Sequence, residues 1–135
     1  MTKKHITVVD WEERAKEDTD TALQLPHEDL DVYQVLETAY RIVSGWQGVA
    51  WSRGTVGDQL KRALSGAILR YTEGYYADGG TKLSLWKSAR GSCGEAAAAV
   101  SLLAFEGRIP GVEATEVRSL LGRAMRMLAR LVHPR

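Results

Sequence analysis

The sequence contains little cysteine, proline or phenylalanine. Its 135 residues include one cysteine, three prolines and one phenylalanine. A single cysteine cannot form an internal disulfide, which argues against a secreted, disulfide-stapled domain. No apolar run approaches the ~18 residues needed to cross a bilayer, and the opening residues lack the apolar stretch of a signal peptide. The sequence therefore predicts a cytoplasmic protein with no membrane partner.

Groups that could carry out catalysis are equally sparse. The three histidines are His5, His27 and His133, and none has a second metal ligand one helical turn away. Cys93 falls on the predicted buried face of a helix, so it lacks the exposure that a nucleophilic thiol needs. The glycine-rich segments 45–57 and 74–80 lack the Gly-Lys-Ser/Thr ending of a phosphate-binding loop. We expect no catalytic residue, metal or cofactor, and therefore a protein that is not an enzyme.

Hydrophobic periodicity predicts four amphipathic helices. They begin near Asp29, Val56, Thr81 and Glu113, and the last three end near Tyr76, Phe105 and Val132. Amphipathic helices joined by short connections form an antiparallel up-down bundle, so the predicted fold is an all-α four-helix bundle over residues 29–135. Residues 1–28 are predicted to be an acidic extension, with a short strand at Ile6–Val9 or a helical turn near Trp11–Lys16.

Charge is unevenly placed along the chain. The extension has four Lys/Arg against seven Asp/Glu, whereas residues 57–135 have twelve Lys/Arg against seven Asp/Glu. The acidic extension and the basic bundle could attract each other, or the basic part could meet an anionic partner.

Small residues in the second and third helices predict a close contact between them. Gly91 and Gly94 each cost about 1 kcal/mol relative to alanine inside a helix, so a packing reason is expected. A hairpin about Gly79 pairs positions whose numbers sum to about 158, which defines a seam of small residues. The seam comprises Ser65, Gly66, Ala67, Gly91, Ser92 and Gly94. The same register predicts an ion pair between Arg62 and Glu95.

Several of these motifs resemble those of the 23S ribosomal RNA intervening-sequence protein family. They are Gly57-Asp-Gln-Leu-Lys-Arg-Ala63, Glu73-Gly74, Ala89-Arg-Gly-Ser92 with Glu95, and Met127-Leu-Ala-Arg-Leu131. The resemblance implies a left-handed four-helix bundle assembled into a homo-oligomeric ring, commonly a homopentamer. Relatives include the accessory variability determinant of diversity-generating retroelements, which implies RNA, DNA or a nucleic-acid-processing protein as a further partner.

Two sets of residues are candidates for interaction surfaces. The arginines Arg118, Arg123, Arg126 and Arg130 on the last helix could grip phosphates, or could form salt bridges with acidic residues of another subunit. Aromatic residues near loops or helix ends are candidate interface anchors, and they are Trp46, Trp51, Tyr75 and Tyr76. The sequence thus predicts a non-enzymatic oligomeric scaffold or adaptor. The alternative is a nucleic-acid-binding accessory protein that uses the basic face of the last helix.

Overall fold

The computed structural model describes residues 25–134, and all regular structure in that part of the chain is helical. A 3-10 turn over Pro26–Asp29 precedes α1. The four helices are α1 (Asp31–Ser44), α2 (Val56–Tyr76), α3 (Gly79–Phe105) and α4 (Gly111–Val132). The predicted strand at Ile6–Val9 and the predicted turn near Trp11–Lys16 lie outside the described residues.

Local backbone chemistry sets the ends of the helices. The hydroxyl of Thr55 accepts a 3.2 Å hydrogen bond from the Asp58 amide and caps the start of α2. Asp29 was expected to begin the first helix, but it lies in the 3-10 turn, and α1 begins two residues later. Gly79 has a φ of 54° and starts α3, so only Ala77 and Asp78 connect α2 to α3.

Each of the four helices packs against two others. α2 and α3 share the largest interface, followed by α3 with α4, α1 with α4, and α1 with α2. Consecutive helices are therefore adjacent, and α1 and α4 close the ring of contacts, as in an up-down bundle. The indole of Trp86 donates a 3.2 Å hydrogen bond to the Tyr71 carbonyl, which links the second half of α2 to the first half of α3.

Alanine and other small residues dominate the buried side of α3. The buried residues of this helix are Trp86, Ala89, Cys93, Ala96, Ala99, Val100 and Leu103. Such short side chains let the neighbouring helices, which contribute leucines and valines, approach closely. Cys93 is fully buried, and this burial raises the pKa of its thiol to about 12. The thiol therefore stays protonated at neutral pH and serves as a packing group.

Candidate interaction surfaces

The small residues of the predicted seam are divided among several faces of the bundle. Gly66 and Ser92 do face each other, because a Cβ built on Gly66 would lie 3.9 Å from the Ser92 hydroxyl. Arg70 Nη1 donates a 3.3 Å hydrogen bond to the same hydroxyl. This pairing agrees with the predicted register of α2 against α3.

Gly91 and Gly94 do not lie between α2 and α3 as predicted. A Cβ on Gly91 would meet nothing within 4 Å, and this residue is exposed. A Cβ on Gly94 would lie 3.5 Å from the Met125 methyl group, so this glycine faces α4. Ser65 lines the space between α1 and α2, whereas Ala67 is buried in the core. The prediction of one seam was wrong in one respect. The sequence gives the correct position of each residue along the helix axis, but not the direction in which the residue points around that axis.

The predicted ion pair between Arg62 and Glu95 is absent from the described part of the chain. Arg62 Nε lies 3.3 Å from Asp58 Oδ1, one turn earlier in the same helix. Both Arg62 and Glu95 are exposed on the outer sides of their helices. Asp58 lies four residues before Arg62 in the same helix, so it is within reach whatever the rotation of the helix. Glu95 would be within reach only if its helix were rotated to turn this residue towards α2.

The four candidate aromatic anchors differ in how much of each side chain is accessible. Trp46 is 5% exposed and packs in the core, so it is not a surface anchor. Trp51 is half-buried, with Lys61 Nζ 5.1 Å from its ring centroid, and Tyr75 is half-buried too. Tyr76 is exposed, and its hydroxyl shares a 2.9 Å hydrogen bond with His27 Nδ1. The exposed part of this set therefore lies at the end of the bundle where α2 finishes.

The predicted basic residues are exposed, and three of them share one side of α4. Arg123, Arg126 and Arg130 project away from the buried side of the helix, while Arg118 lies on a different flank. Within residues 25–134, no carboxylate lies within 4.0 Å of any of these guanidinium groups. The outer side of α4 therefore presents a short row of cations.

An apolar patch that sequence reasoning missed lies where α3 ends and α4 begins. We call it the α3–α4 patch, and its members are Leu102, Phe105 and Val112, which are 49%, 84% and 82% exposed. Ala98 is exposed one turn before Leu102 on the same side of α3. The spacing of Ala98, Leu102 and Phe105 by four and three residues was the signal, but it was hidden because α3 is apolar on several sides.

The turn that carries this patch is supported by the loop between α1 and α2. A Cβ on Gly48 would lie 2.6 Å from the carbonyl oxygen of Arg108, so the two backbones are in direct contact there. Ile109 is buried between the ends of the patch, and Gly107 has a φ of 70°. The connection between Phe105 and Val112 thus packs against the loop between α1 and α2.

A groove of about 360 Å³ lies between α1 and α2. We call it the α1–α2 groove, and its lining residues are Tyr33, Glu37, Tyr40, Arg41, Ser65, Ile68 and Leu69. Arg41 and Glu37 form a 3.3 Å ion pair on α1. Partial burial, together with the Glu37 carboxylate, raises the pKa of the Tyr33 hydroxyl. Leu69 is 67% exposed, so the groove presents an apolar wall to water.

The described residues contain no cluster of three or more His, Cys, Asp or Glu that could hold a metal ion. From Leu25 to Pro134, no helix combines the length and apolar character needed to span a membrane.

Comparisons with known proteins support the fold. No family model matches the sequence, and no curated protein matches it. A solved structure with a similar fold is a protein of unknown function from the S23 ribosomal protein family of Bacteroides thetaiotaomicron. The two share 16% sequence identity, and the match has a TM-score of 0.66 and covers 76% of this chain and 98% of the other. At this identity the similarity shows the fold alone, and it gives no support to the predicted link with retroelement accessory proteins. The chain has the four-helix fold of an S23-family protein.

Proposed function

We propose that this protein is a non-catalytic, cytoplasmic helical scaffold that associates with further copies of itself through the α3–α4 patch. The observation that carries the proposal is the exposure of three large apolar side chains on either side of the connection from α3 to α4, namely Leu102, Phe105 and Val112, at 49%, 84% and 82%. Soluble monomers tolerate single exposed apolar residues, but several large ones at one end of two consecutive helices are typical of an interaction site.

The energetics favour burial of the patch. Covering a large aliphatic or aromatic side chain contributes about 1.5–3 kcal/mol, so the three side chains together can supply several kcal/mol. Phe105 is the largest of them and has the properties of a central anchor. The buried, protonated thiol of Cys93 supports the non-catalytic part of the proposal, since this group is not available as a nucleophile.

A ring, and the pentamer that the sequence resemblance implies, needs a heterologous contact. In such a contact the patch of one copy meets a different surface of the next copy, and the contacts repeat until the ring closes. If the patch met itself, assembly would stop at a dimer. The subunit number therefore distinguishes the two modes.

The test is the mass in solution of the whole chain. We expect light scattering at micromolar concentration to give a multiple of 14.9 kDa. Phe105→Asp should shift the protein to the monomer. Any fall in its melting temperature should be no larger than the loss of association accounts for. Leu83→Asp is the matched control, since Leu83 is an exposed leucine at the opposite end of α3. A monomeric wild type, or equal effects of the two variants, would contradict the proposal.

A second candidate function is contact with a polyanion, such as RNA or DNA, through α4. It is favoured by the row of Arg123, Arg126 and Arg130, which are exposed without a carboxylate partner within 4.0 Å among the described residues. Anisotropy of a fluorescent RNA at low salt tests it. Replacing the three arginines by glutamine should weaken binding and lower its salt dependence. If the wild type does not bind at low salt, this function is excluded.

A further inference from the structure

The α1–α2 groove lies on two helices that carry no residue of the α3–α4 patch. Four of its seven lining residues are apolar or aromatic, with Tyr33 and Tyr40 on α1 and Ile68 and Leu69 on α2, and the others are Glu37, Arg41 and Ser65. Its volume of about 360 Å³ is enough for several apolar side chains. An open apolar groove of this kind gains free energy when it is covered.

The described chain starts at one end of this groove. The 3-10 turn over Pro26–Asp29 is held there by His27, whose ring centroid lies 5.0 Å from that of Tyr33. His27 Nδ1 also shares the 2.9 Å hydrogen bond with Tyr76 at the end of α2. Leu25, the first described residue, is thus two positions from a residue that packs against Tyr33 in the lining of the groove.

The preceding segment has the length to reach every part of the groove. Tyr33 and Arg41 are eight residues apart on α1, which is about 12 Å along the helix. An extended chain covers about 3.3 Å per residue, so about four residues reach from one end to the other. Trp11 precedes Leu25 by 14 positions, which leaves slack for the chain to turn and lie along the groove.

The chemistry of the segment is complementary to the groove and its surroundings. It contains Ile6, Val8, Val9 and Trp11, which are the kind of side chains that an aromatic and aliphatic wall accepts. From position 10 to position 20 the segment has six Asp/Glu against two Lys/Arg. Lys61 is exposed on α2 and precedes Ser65 by one helical turn, so a cation lies near one end of the groove.

We propose that the segment Ile6–Trp11 docks in the α1–α2 groove of its own chain, against Tyr40, Ile68 and Leu69. A covalent tether gives the segment an effective local concentration in the millimolar range, which a second copy at micromolar concentration does not match. The groove is thereby covered in each subunit, and the α3–α4 patch is left for contact between subunits.

Disulfide trapping of the full chain tests this proposal. Thr7→Cys is combined with Ser65→Cys, which places one thiol between the apolar residues of the segment and the other in the groove. Oxidised glutathione serves as the oxidant, and non-reducing gels separate intramolecular from intermolecular products. The native Cys93 does not compete, because it is buried and its pKa is about 12. We expect rapid formation of an intramolecular disulfide.

The matched control pairs Thr7→Cys with Ser119→Cys, a serine on the exposed side of α4. Trapping should be at least about tenfold slower there. Adding Leu69→Asp to the first pair should slow trapping by about tenfold, since it removes an apolar wall that the fold does not need. Equal rates at positions 65 and 119, or no effect of Leu69→Asp, would overturn the proposal. A predominantly intermolecular disulfide would also overturn it and would assign the groove to a second copy. Failure of the scaffold proposal would appear instead as a monomeric mass.

Discussion

Replacing Gly74 with alanine would put a methyl group where Trp86 already lies. A Cβ at position 74 would be 2.6 Å from Trp86 Cδ1 and 2.7 Å from Trp86 Nε1. The indole is buried, stacks on Tyr71 with ring centroids 6.0 Å apart, and donates to the Tyr71 carbonyl. It cannot move away without breaking both contacts.

The expected magnitude follows from three effects. Overpacking costs about 1–3 kcal/mol, and loss of a buried hydrogen bond costs about 1 kcal/mol more. The higher helix propensity of alanine returns about 1 kcal/mol. We therefore expect Gly74→Ala to lower the free energy of unfolding by about 1–3 kcal/mol, which is roughly 4–12 °C in melting temperature for a chain of this size.

Gly91→Ala is the matched control, since it makes the same chemical change in the middle of α3. A Cβ there meets nothing within 4 Å, so the gain in helix propensity remains, and stability should rise by about 0.5–1 kcal/mol. Thermal unfolding followed by circular dichroism at several protein concentrations separates these effects from changes in association. A neutral or stabilising Gly74→Ala would refute the packing of Trp86 against α2. A destabilising Gly91→Ala would show that another surface covers position 91.

Two further predictions concern stability. Burial raises the pKa of the Cys93 thiol from 9.0 to about 12. Above pH 9 the unfolded thiol therefore loses its proton while the folded thiol keeps it, so the free energy of unfolding should fall from pH 9 towards pH 12. Urea titrations should show a smaller fall near pH 9–10 for Cys93→Ala than for the wild type. Thr55→Val keeps the shape of the side chain but removes the acceptor for the Asp58 amide, so it should lower the free energy of unfolding in urea by about 1 kcal/mol. The control is the same change at Thr115, whose hydroxyl bonds only to a carbonyl one turn back in its own helix. This change should cost less than half as much.

The helices themselves were predictable from the sequence. In α1, α2 and α4 the apolar residues recur on one side only, so the pattern gives both the existence of the helix and its buried face. The register of α2 against α3 was predictable too, because a connection as short as Ala77 and Asp78 leaves the chain little freedom. Gly66 therefore lies opposite Ser92 as expected.

The rotation of α3 was not predictable in the same way. This helix has apolar or small residues on every side, so its sequence pattern does not say which side faces α2, which faces α4 and which faces water. The pattern therefore predicts Gly91 between helices, and it does not mark Leu102 and Phe105 as surface residues. The candidate site of an α-helical protein is thus hardest to predict where the helix is least amphipathic.

The contact of Gly48 with the Arg108 carbonyl gives the loop between α1 and α2 an influence on a distant surface. Any side chain at position 48 would push on the backbone between Phe105 and Val112 and alter the spacing of these two residues. Variation in the loop could therefore change which copies or partners the protein accepts, while every residue that touches the partner stays the same.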